Sequence, residues 1–256
     1  MQKVDLNCDL GESFGNYHLG MDDQILPLIT SANVACGFHA SDPLTMQKTV
    51  KLAAENHVCV GAHPGLPDLV GFGRRKMDIK PEEAKAVVMY QIGALQAFCS
   101  ANRIEMKHVK LHGALYNMAG KDEELAEAIC KGIYEVNPNL ILLGLFGSKM
   151  LAAARKVGLK AANEVFADRA YEEDGSLVPR GEPGAVITDE NEAVKRVIGM
   201  IQCHTVTAIT GKKIAVFPNS ICVHGDNQKA FVFVQKIRKA LEAEHIRICP
   251  LAETIS

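Results

Sequence analysis

Histidines and carboxylates stand directly after several short apolar runs of this 256-residue chain. The residues concerned are His39, His63, His112, His224, Asp9 and Asp226. An imidazole titrates near neutral pH, so it can donate or accept a proton during a reaction, and a carboxylate can assist it. Imidazole and carboxylate are also ligands for zinc and other divalent metals. These residue types therefore indicate acid–base catalysis, with a divalent metal site as an open alternative.

The elements that must position these residues alternate along the whole chain. Strands are predicted at residues 4–8, 32–36, 58–61, 108–111, 140–145, 159–165 and 214–223, the last interrupted at Pro218, and a short run at 246–249 closes or borders the sheet. Helices are predicted over residues 42–56, 81–99, 125–133, 189–203 and 231–241. This alternation favours a parallel sheet covered by helices, and about seven strands suit a distorted barrel better than an open sheet. We predict an α/β fold with one domain that spans residues 1–256.

Parallel strands explain how residues so far apart in sequence could form one site. The carboxyl ends of the strands in such a barrel meet at one mouth, where ligands bind. Asp9 shares a strand face with Asp5 and Asn7, and a core strand would not present such a polar face without a partner or a ligand. Lys110 shares a face with His112 and could neutralise a bound anion.

Each of these residues also has a purely structural interpretation. A single histidine at a strand end is more often part of a hydrogen-bonded framework than a catalyst. Asp42 is predicted to cap a helix, and Asp226 is equally suited to capping the last helix. The recurrence of polar clusters at six strand ends favours the functional interpretation.

Composition argues against several classes of partner. The chain is 48% hydrophobic, carries a formal net charge of -2 and contains no tryptophan, so no nucleic-acid surface is indicated. Its longest apolar stretches fall well short of the roughly 20 residues that span a bilayer, and no signal peptide is apparent. Its eight cysteines are scattered without a C-x-x-C pair, which favours reduced thiols. We expect a cytoplasmic protein without nucleic-acid or membrane partners.

Two glycine-containing segments match nucleotide motifs only in part. Residues 211–213 (GKK) lack both the first glycine and the hydroxyl residue of a P-loop. Residues 71–75 (GFGRR) lack the third glycine of a dinucleotide fingerprint, so they indicate only a loop where an anion could dock. Residues 167–187, rich in glycine, proline and charge, are predicted to form the longest excursion from the fold.

Longer blocks of sequence resemble the LamB/YcsF family. They are residues 7–15 (NCDLGESFG), 32–40 (ANVACGFHA), 61–65 (GAHPG), 71–75 (GFGRR), 112–117 (HGALYN), 166–169 (FADR) and 223–226 (VHGD). These blocks are highly specific and together span almost the whole chain. The chain departs from the family pattern at Ser41, where glycine is expected, and at Leu111, where proline is expected.

The resemblance implies a seven-stranded β/α barrel similar to those of glycoside hydrolases and polysaccharide deacetylases. It also implies hydrolysis of 5-oxo-L-proline to L-glutamate, coupled to ATP hydrolysis, in a complex with two other 5-oxoprolinase subunits, B and C. Since the chain lacks a P-loop, ATP is expected to be bound mainly by those partners. A bound divalent metal remains open.

The same resemblance suggests roles for individual residues. Asp9, or a histidine among His39, His63 and His112, would position the attacking water, and His224 or Asp226 would serve the departing ring nitrogen. The substrate carboxylate suits a bidentate arginine, for which the candidates are Arg74, Arg75, Arg169 and Arg180. The other predicted substrate contacts are Asn7, Glu12, Lys110 and Asp168.

Two alternative functions fit the same residues less well. A metal-dependent deacetylase of N-acyl sugars or polysaccharides would need stoichiometric metal and would act without ATP. A non-catalytic subunit that delivers a small acidic ligand would keep its binding after loss of the histidines. The long sequence blocks favour the 5-oxoprolinase interpretation over both.

Overall fold

Parallel strands close into a barrel in the computed structural model, which describes residues 1–223 and 228–255. The strands of this described part are β1 (Lys3–Leu10), β2 (Ser31–Ala35), β3 (Cys59–His63), β4 (Met106–Val109), β5 (Ile141–Leu145), β6 (Lys160–Phe166), β7 (Thr205–Thr207), β8 (Lys213–Ala215), β9 (Ser220–Cys222) and β10 (Arg247–Ile248). Strands β1 to β6 are neighbours in chain order, and β9 pairs with both β6 and β1. Ser220 is in register with Glu164 on one side and with Asp5 on the other, which completes a ring of seven parallel strands among the described residues.

Helices surround this barrel. They are α1 (Asp22–Ile25), α2 (Pro43–Glu55), α3 (Pro81–Ala101), α4 (Gly113–Lys121), α5 (Glu123–Val136), α6 (Lys149–Val157), α7 (Glu190–Gln202), α8 (Gln228–Ala243) and α9 (Leu251–Thr254), with a 3-10 turn at Leu26–Leu28. None of them, over the residues described, is long and apolar enough to cross a membrane. The five predicted helices correspond to α2, α3, α5, α7 and α8, whereas α4 and α6 were not predicted because each is only nine residues long.

The two faces of β1 show why the barrel forms. Val4, Leu6 and Cys8 point outward into the main hydrophobic cluster beneath the helices, where burial of apolar surface stabilises the fold. Asp5 and Asn7 alternate with them and are fully buried on the inner side. The barrel interior is therefore polar along this strand, as its alternating sequence predicts.

The predicted strand 214–223 is wrong as a single element. Strand β8 ends at Ala215 and pairs antiparallel with β7 in a separate hairpin, and β9 begins at Ser220 in the barrel. Pro218 lies between them and has no N–H to donate to a sheet ladder. The predicted interruption at Pro218 is thus correct, and the run at 246–249 supplies β10, which borders the amino end of β1.

Ser41 precedes α2 in a backbone conformation that favours glycine. Asp42 caps the helix as predicted, since its carboxylate accepts from the N–H groups of Leu44 and Thr45. Ser41, which is buried, has a φ of 77°. This left-handed region costs a residue with a Cβ about 1–2 kcal/mol.

Replacing Ser41 with glycine is therefore expected to stabilise the protein by about 1 kcal/mol, measured as the free energy of unfolding in urea. Ser41→Ala is the matched control, because alanine also loses the hydroxyl but keeps the Cβ. A glycine variant no more stable than the alanine variant would contradict the strain at this position.

Candidate active site

A column of polar side chains runs along the inner face of β1 towards the barrel mouth. At its base, Asp5 accepts hydrogen bonds from the hydroxyls of Thr30, Ser31 and Ser220. Burial raises the pKa of Asp5 to about 6, although these hydrogen bonds partly offset the effect. Above it, Asn7 donates to the Ser220 hydroxyl at 2.7 Å. These hydrogen bonds fix the positions of the buried polar side chains beneath the mouth.

Asn33 links this column to Asp9. The side-chain amide nitrogen of Asn33 donates to Asn7 Oδ1 at 2.7 Å and to Asp9 Oδ1 at 2.9 Å. Its Oδ1 accepts from His108 Nε2 at 2.8 Å. Burial lowers the pKa of His108 to about 3, so this imidazole is neutral. Gly61 makes room for the ring, because a Cβ there would lie 2.2 Å from His108 Nε2. A neutral framework thus fixes the position of the Asp9 carboxylate.

Lys110 bridges two carboxylates across the barrel. Its ammonium lies 2.9 Å from Asp9 Oδ1 and 2.8 Å from Glu164 Oε1, and its side chain is only 3% exposed. Burial alone would lower the pKa of Lys110, but the charges of Asp9 and Glu164 outweigh it and raise this pKa well above its usual value. Tyr116 donates to the other oxygen of Glu164 at 2.6 Å. Lys110 is therefore a fixed positive charge beneath the mouth.

His63 and His112 lie beside Asp9 at the mouth. His63 Nε2 is 3.3 Å from Asp9 Oδ2 and 3.0 Å from His112 Nδ1. The opposite nitrogens contact backbone carbonyls, His63 Nδ1 with Lys110 O and His112 Nε2 with Phe72 O, each at 2.8 Å. Burial, with His39 and His63 nearby, keeps the pKa of His112 well below its usual value. Both rings are thus held in one orientation by the backbone.

Glu12 and His39 complete the cluster. His39 stacks on His112 with ring centroids 3.6 Å apart, and its Nε2 lies 3.2 Å from Glu12 Oε1. Burial raises the pKa of Glu12, which makes its protonated form more accessible. Glu12, His39, His63 and His112 offer ligand atoms that all lie within 4.8 Å of one another, so these residues could hold a metal ion.

The glycine–basic loop 71–75 shapes one wall of the mouth. The Gly73 backbone has a φ of 62°, and its carbonyl accepts from the N–H of Ala114 at 2.9 Å. A Cβ on Gly113 would lie 2.6 Å from that carbonyl oxygen. The backbones at Gly73 and Gly113 can therefore approach each other only because Gly113 has no Cβ. This contact brings loop 71–75, with Arg74, against the start of α4.

A cavity of about 570 Å³ opens above this cluster. Its floor includes Asp9, Glu12, His63, Lys110 and His112. The cationic side chains in its walls are those of Arg74, Lys121, Lys149, Arg169 and Arg180. Residues 174–180 of the predicted excursion 167–187 form one side. The site therefore combines acid–base groups with an excess of positive charge, which suits an anionic ligand.

The structure does not bring all of the predicted site residues to the cavity. Those that line it are Asp9, Glu12, His63, Arg74, Lys110, His112, Arg169 and Arg180. Asn7 and His39 are buried behind this lining. Arg75 and Asp168 are not part of it, and the Arg75 guanidinium pairs with Asp68. His224 and Asp226 lie outside the described residues.

Arg169 lines the cavity but directs its guanidinium to the backbone. It donates to the carbonyl of Ala185 at 3.3 Å and to that of Val178 at 2.5 Å, and it is 6% exposed. Burial lowers its pKa to about 10, with Arg180 contributing. Arg169 thus ties the excursion to the barrel.

Sequence reasoning missed Glu164 and Tyr116. Glu164 occurs two residues before Phe166 in strand β6, so its alternation onto the inner face could have been noticed. Tyr116 belongs to the unpredicted helix α4 and gave no comparable signal. Both residues support Lys110 from the side opposite Asp9.

Fold and site together define a class of protein: a seven-stranded parallel β/α barrel with a histidine–carboxylate–lysine cluster at its mouth. The chain belongs to the LamB/YcsF family, whose model matches residues 4–256. It is 66% identical over 251 residues to the 5-oxoprolinase A subunit of Clostridium beijerinckii, covering 98% of each chain. The relative from Pyrococcus abyssi with the same name is 56% identical over 253 residues, covering 99% of each.

Solved structures confirm the predicted fold. The crystal structure of the lactam utilization protein from Thermus thermophilus is similar with a TM-score of 0.91 and 45% identity, covering 97% of this chain and 99% of that one. The peptidoglycan N-acetylglucosamine deacetylase Bc1960 shares only the fold, with a TM-score of 0.51 and 11% identity over 99% of this chain and 87% of that one. The expected likeness to deacetylase barrels is thus confirmed.

Proposed function

We propose that this protein is the A subunit of an ATP-dependent 5-oxoprolinase, which opens 5-oxo-L-proline to L-glutamate together with subunits B and C. One observation carries the proposal: a chain 66% identical to a 5-oxoprolinase A subunit has a cavity that joins an acid–base cluster to a cationic wall. The name lactam utilization protein, given to the relative from Thermus thermophilus, is consistent with a cyclic amide as substrate.

The cavity suits the charge of this substrate. 5-Oxoproline is a five-membered lactam with one carboxylate, which an arginine can bind through two parallel hydrogen bonds. Arg74 and Arg180 both line the cavity. At about 570 Å³ the cavity has the size of a small-molecule site and leaves room for an added phosphoryl group.

The proposed reaction needs activation because a lactam is an unreactive amide whose ring closure is favoured intramolecularly. Transfer of the γ-phosphoryl group of ATP to the lactam oxygen releases ADP and leaves an activated imidate. Water adds to the ring carbon and loses a proton to a base, and the carbon–nitrogen bond then breaks as the nitrogen gains a proton. A second water hydrolyses the resulting acyl phosphate to glutamate and phosphate.

Groups at the mouth supply the proton transfers in this scheme. Asp9 is the base that activates water, with His63 in contact with it at 3.3 Å, while Lys110 stabilises negative charge that develops beside Asp9. His224 or Asp226 keeps the role proposed for it, which is to protonate the departing nitrogen. Subunits B and C would provide most of the contacts to ATP.

Reconstitution tests this function directly. Glutamate release from 5-oxoproline is expected only when this chain, ATP and both partner subunits are present, and omission of any one should remove it. Turnover that persists without ATP, together with sensitivity to chelators, would favour the deacetylase alternative. Full turnover by the partners without this chain would overturn its catalytic role and leave it a binding subunit.

A further inference from the structure

His63 and His112 each direct one ring nitrogen at a backbone carbonyl. A carbonyl oxygen only accepts hydrogen bonds, so His63 Nδ1 and His112 Nε2 must carry the hydrogens in these 2.8 Å contacts. In neutral rings, the remaining nitrogens then have only lone pairs. These two nitrogens, His63 Nε2 and His112 Nδ1, face each other at 3.0 Å.

Carboxylate oxygens approach the same two nitrogens. Asp9 Oδ2 lies 3.3 Å from His63 Nε2, and Glu12 Oε1 lies 3.6 Å from His112 Nδ1. Where these carboxylates are ionised they have no hydrogen to donate, so acceptors then face acceptors on each side of this pair. Such an arrangement is stable only when a positive species lies between the lone pairs, either a proton or a metal ion.

We propose that Glu12, His39, His63 and His112 bind one divalent transition-metal ion of the zinc type. Ligands 2.0–2.1 Å from a tetrahedral zinc are about 3.3 Å apart. The corresponding separations here are 3.0 Å for His63–His112, 3.2 Å for His39–Glu12 and 3.6 Å for His112–Glu12. Three imidazoles and one carboxylate are also the donors that such ions prefer.

The surroundings of the cluster have the features of a built metal site. The carbonyls of Lys110 and Phe72 fix the rings of His63 and His112, which is the usual role of groups that support histidine ligands. Among the described residues His39 Nδ1 has no hydrogen-bond partner, and His39 is held by stacking on His112. The three histidines are at most 4% exposed. A Cβ at Gly73 would lie 2.6 Å from His39 Cβ, so the loop packs tightly against the ligand side chains. These contacts pre-organise the cluster without help from a substrate.

Metal binding by the purified full chain tests the proposal. The chain, produced without a polyhistidine tag, would be stripped with EDTA, incubated with Zn²⁺ and desalted before its metal content is measured by mass spectrometry. About one Zn²⁺ per chain and a raised Tm are expected. Glu12→Gln and His112→Ala should each weaken Zn²⁺ affinity by more than tenfold in a calorimetric titration. His18→Ala removes an exposed imidazole and is the matched control, expected to bind like the wild type.

The competing outcome is a shared proton. A wild-type chain that binds less than about a tenth of an equivalent of Zn²⁺, with both His63 nitrogens protonated in ¹⁵N NMR spectra, would overturn the proposal. An equal loss of affinity in His18→Ala would also overturn it, because the binding would then be unspecific. Glu12→Gln preserves side-chain volume, and circular dichroism would verify that it folds. Zn²⁺ bound without lactam opening would contradict only the proposed function, since the metal assignment rests on the ligand geometry alone.

Discussion

Replacing His63 with asparagine is expected to lower glutamate release by the reconstituted complex by about 10²–10⁴-fold. The substitution removes Nε2, the atom in contact with both Asp9 and His112. The asparagine amide can still donate to the carbonyl of Lys110, as His63 Nδ1 does now. Activity is therefore expected to fall with little change in the free energy of unfolding.

Two further variants sharpen this result. His63→Ala loses both nitrogens and leaves a cavity, so it is expected to be inactive and also less stable than His63→Asn. His18→Ala, which alters an exposed histidine, should retain the turnover of the wild type. Undiminished turnover of His63→Asn would show that this histidine takes no part in the chemistry.

Replacing Lys110 with methionine is expected to destabilise the protein by about 3–5 kcal/mol and to abolish turnover. Methionine retains the apolar stem but removes the ammonium that lies between Asp9 and Glu164. The Glu164 side chain is fully buried, so its carboxylate would remain without a compensating charge. Urea denaturation monitored by circular dichroism would measure the loss of stability.

Lys107→Met is the matched control for this substitution. Lys107 belongs to the same strand, but its side chain is 42% exposed and pairs with Glu105 at the surface. Its replacement should change stability by less than about 0.5 kcal/mol. The double variant Lys110→Met with Glu164→Gln should recover part of the loss, because the uncompensated charge is removed. A Lys110→Met protein as stable as the wild type would refute the buried bridge.

The location of the site at the barrel mouth could be predicted because the strands of a parallel barrel all run in the same direction. Asp9 and His63 lie at the carboxyl ends of β1 and β3, and His112 follows β4. The rule that strand carboxyl ends share one edge brings them together. The barrel itself followed from the regular alternation of apolar runs and helical segments. These inferences needed only the periodicity of the sequence and the chain direction.

Side-chain direction at irregular backbone could not be predicted in the same way. Arg74 and Arg75 are adjacent, yet Arg74 lines the cavity while Arg75 pairs with Asp68. The turn responsible contains two left-handed residues, Phe72 and Gly73, and no periodic pattern describes it. The Tyr116–Glu164 hydrogen bond was likewise hidden, because its partners are 48 positions apart and lie on different elements.

Closure of the barrel by β9 has a consequence for biosynthesis. Asn7 and Ser220, which are hydrogen-bonded in the finished ring, are separated by 213 positions. While the ribosome is still adding the intervening residues, β1 has β2 beside it but lacks its other neighbour, so a strand edge is left exposed on the nascent polypeptide. Long sequence separation between paired strands slows folding. The column beneath Asp9 therefore assembles only after translation has passed Ser220. Until then, we expect chaperones that shield open sheet edges to bind the nascent chain.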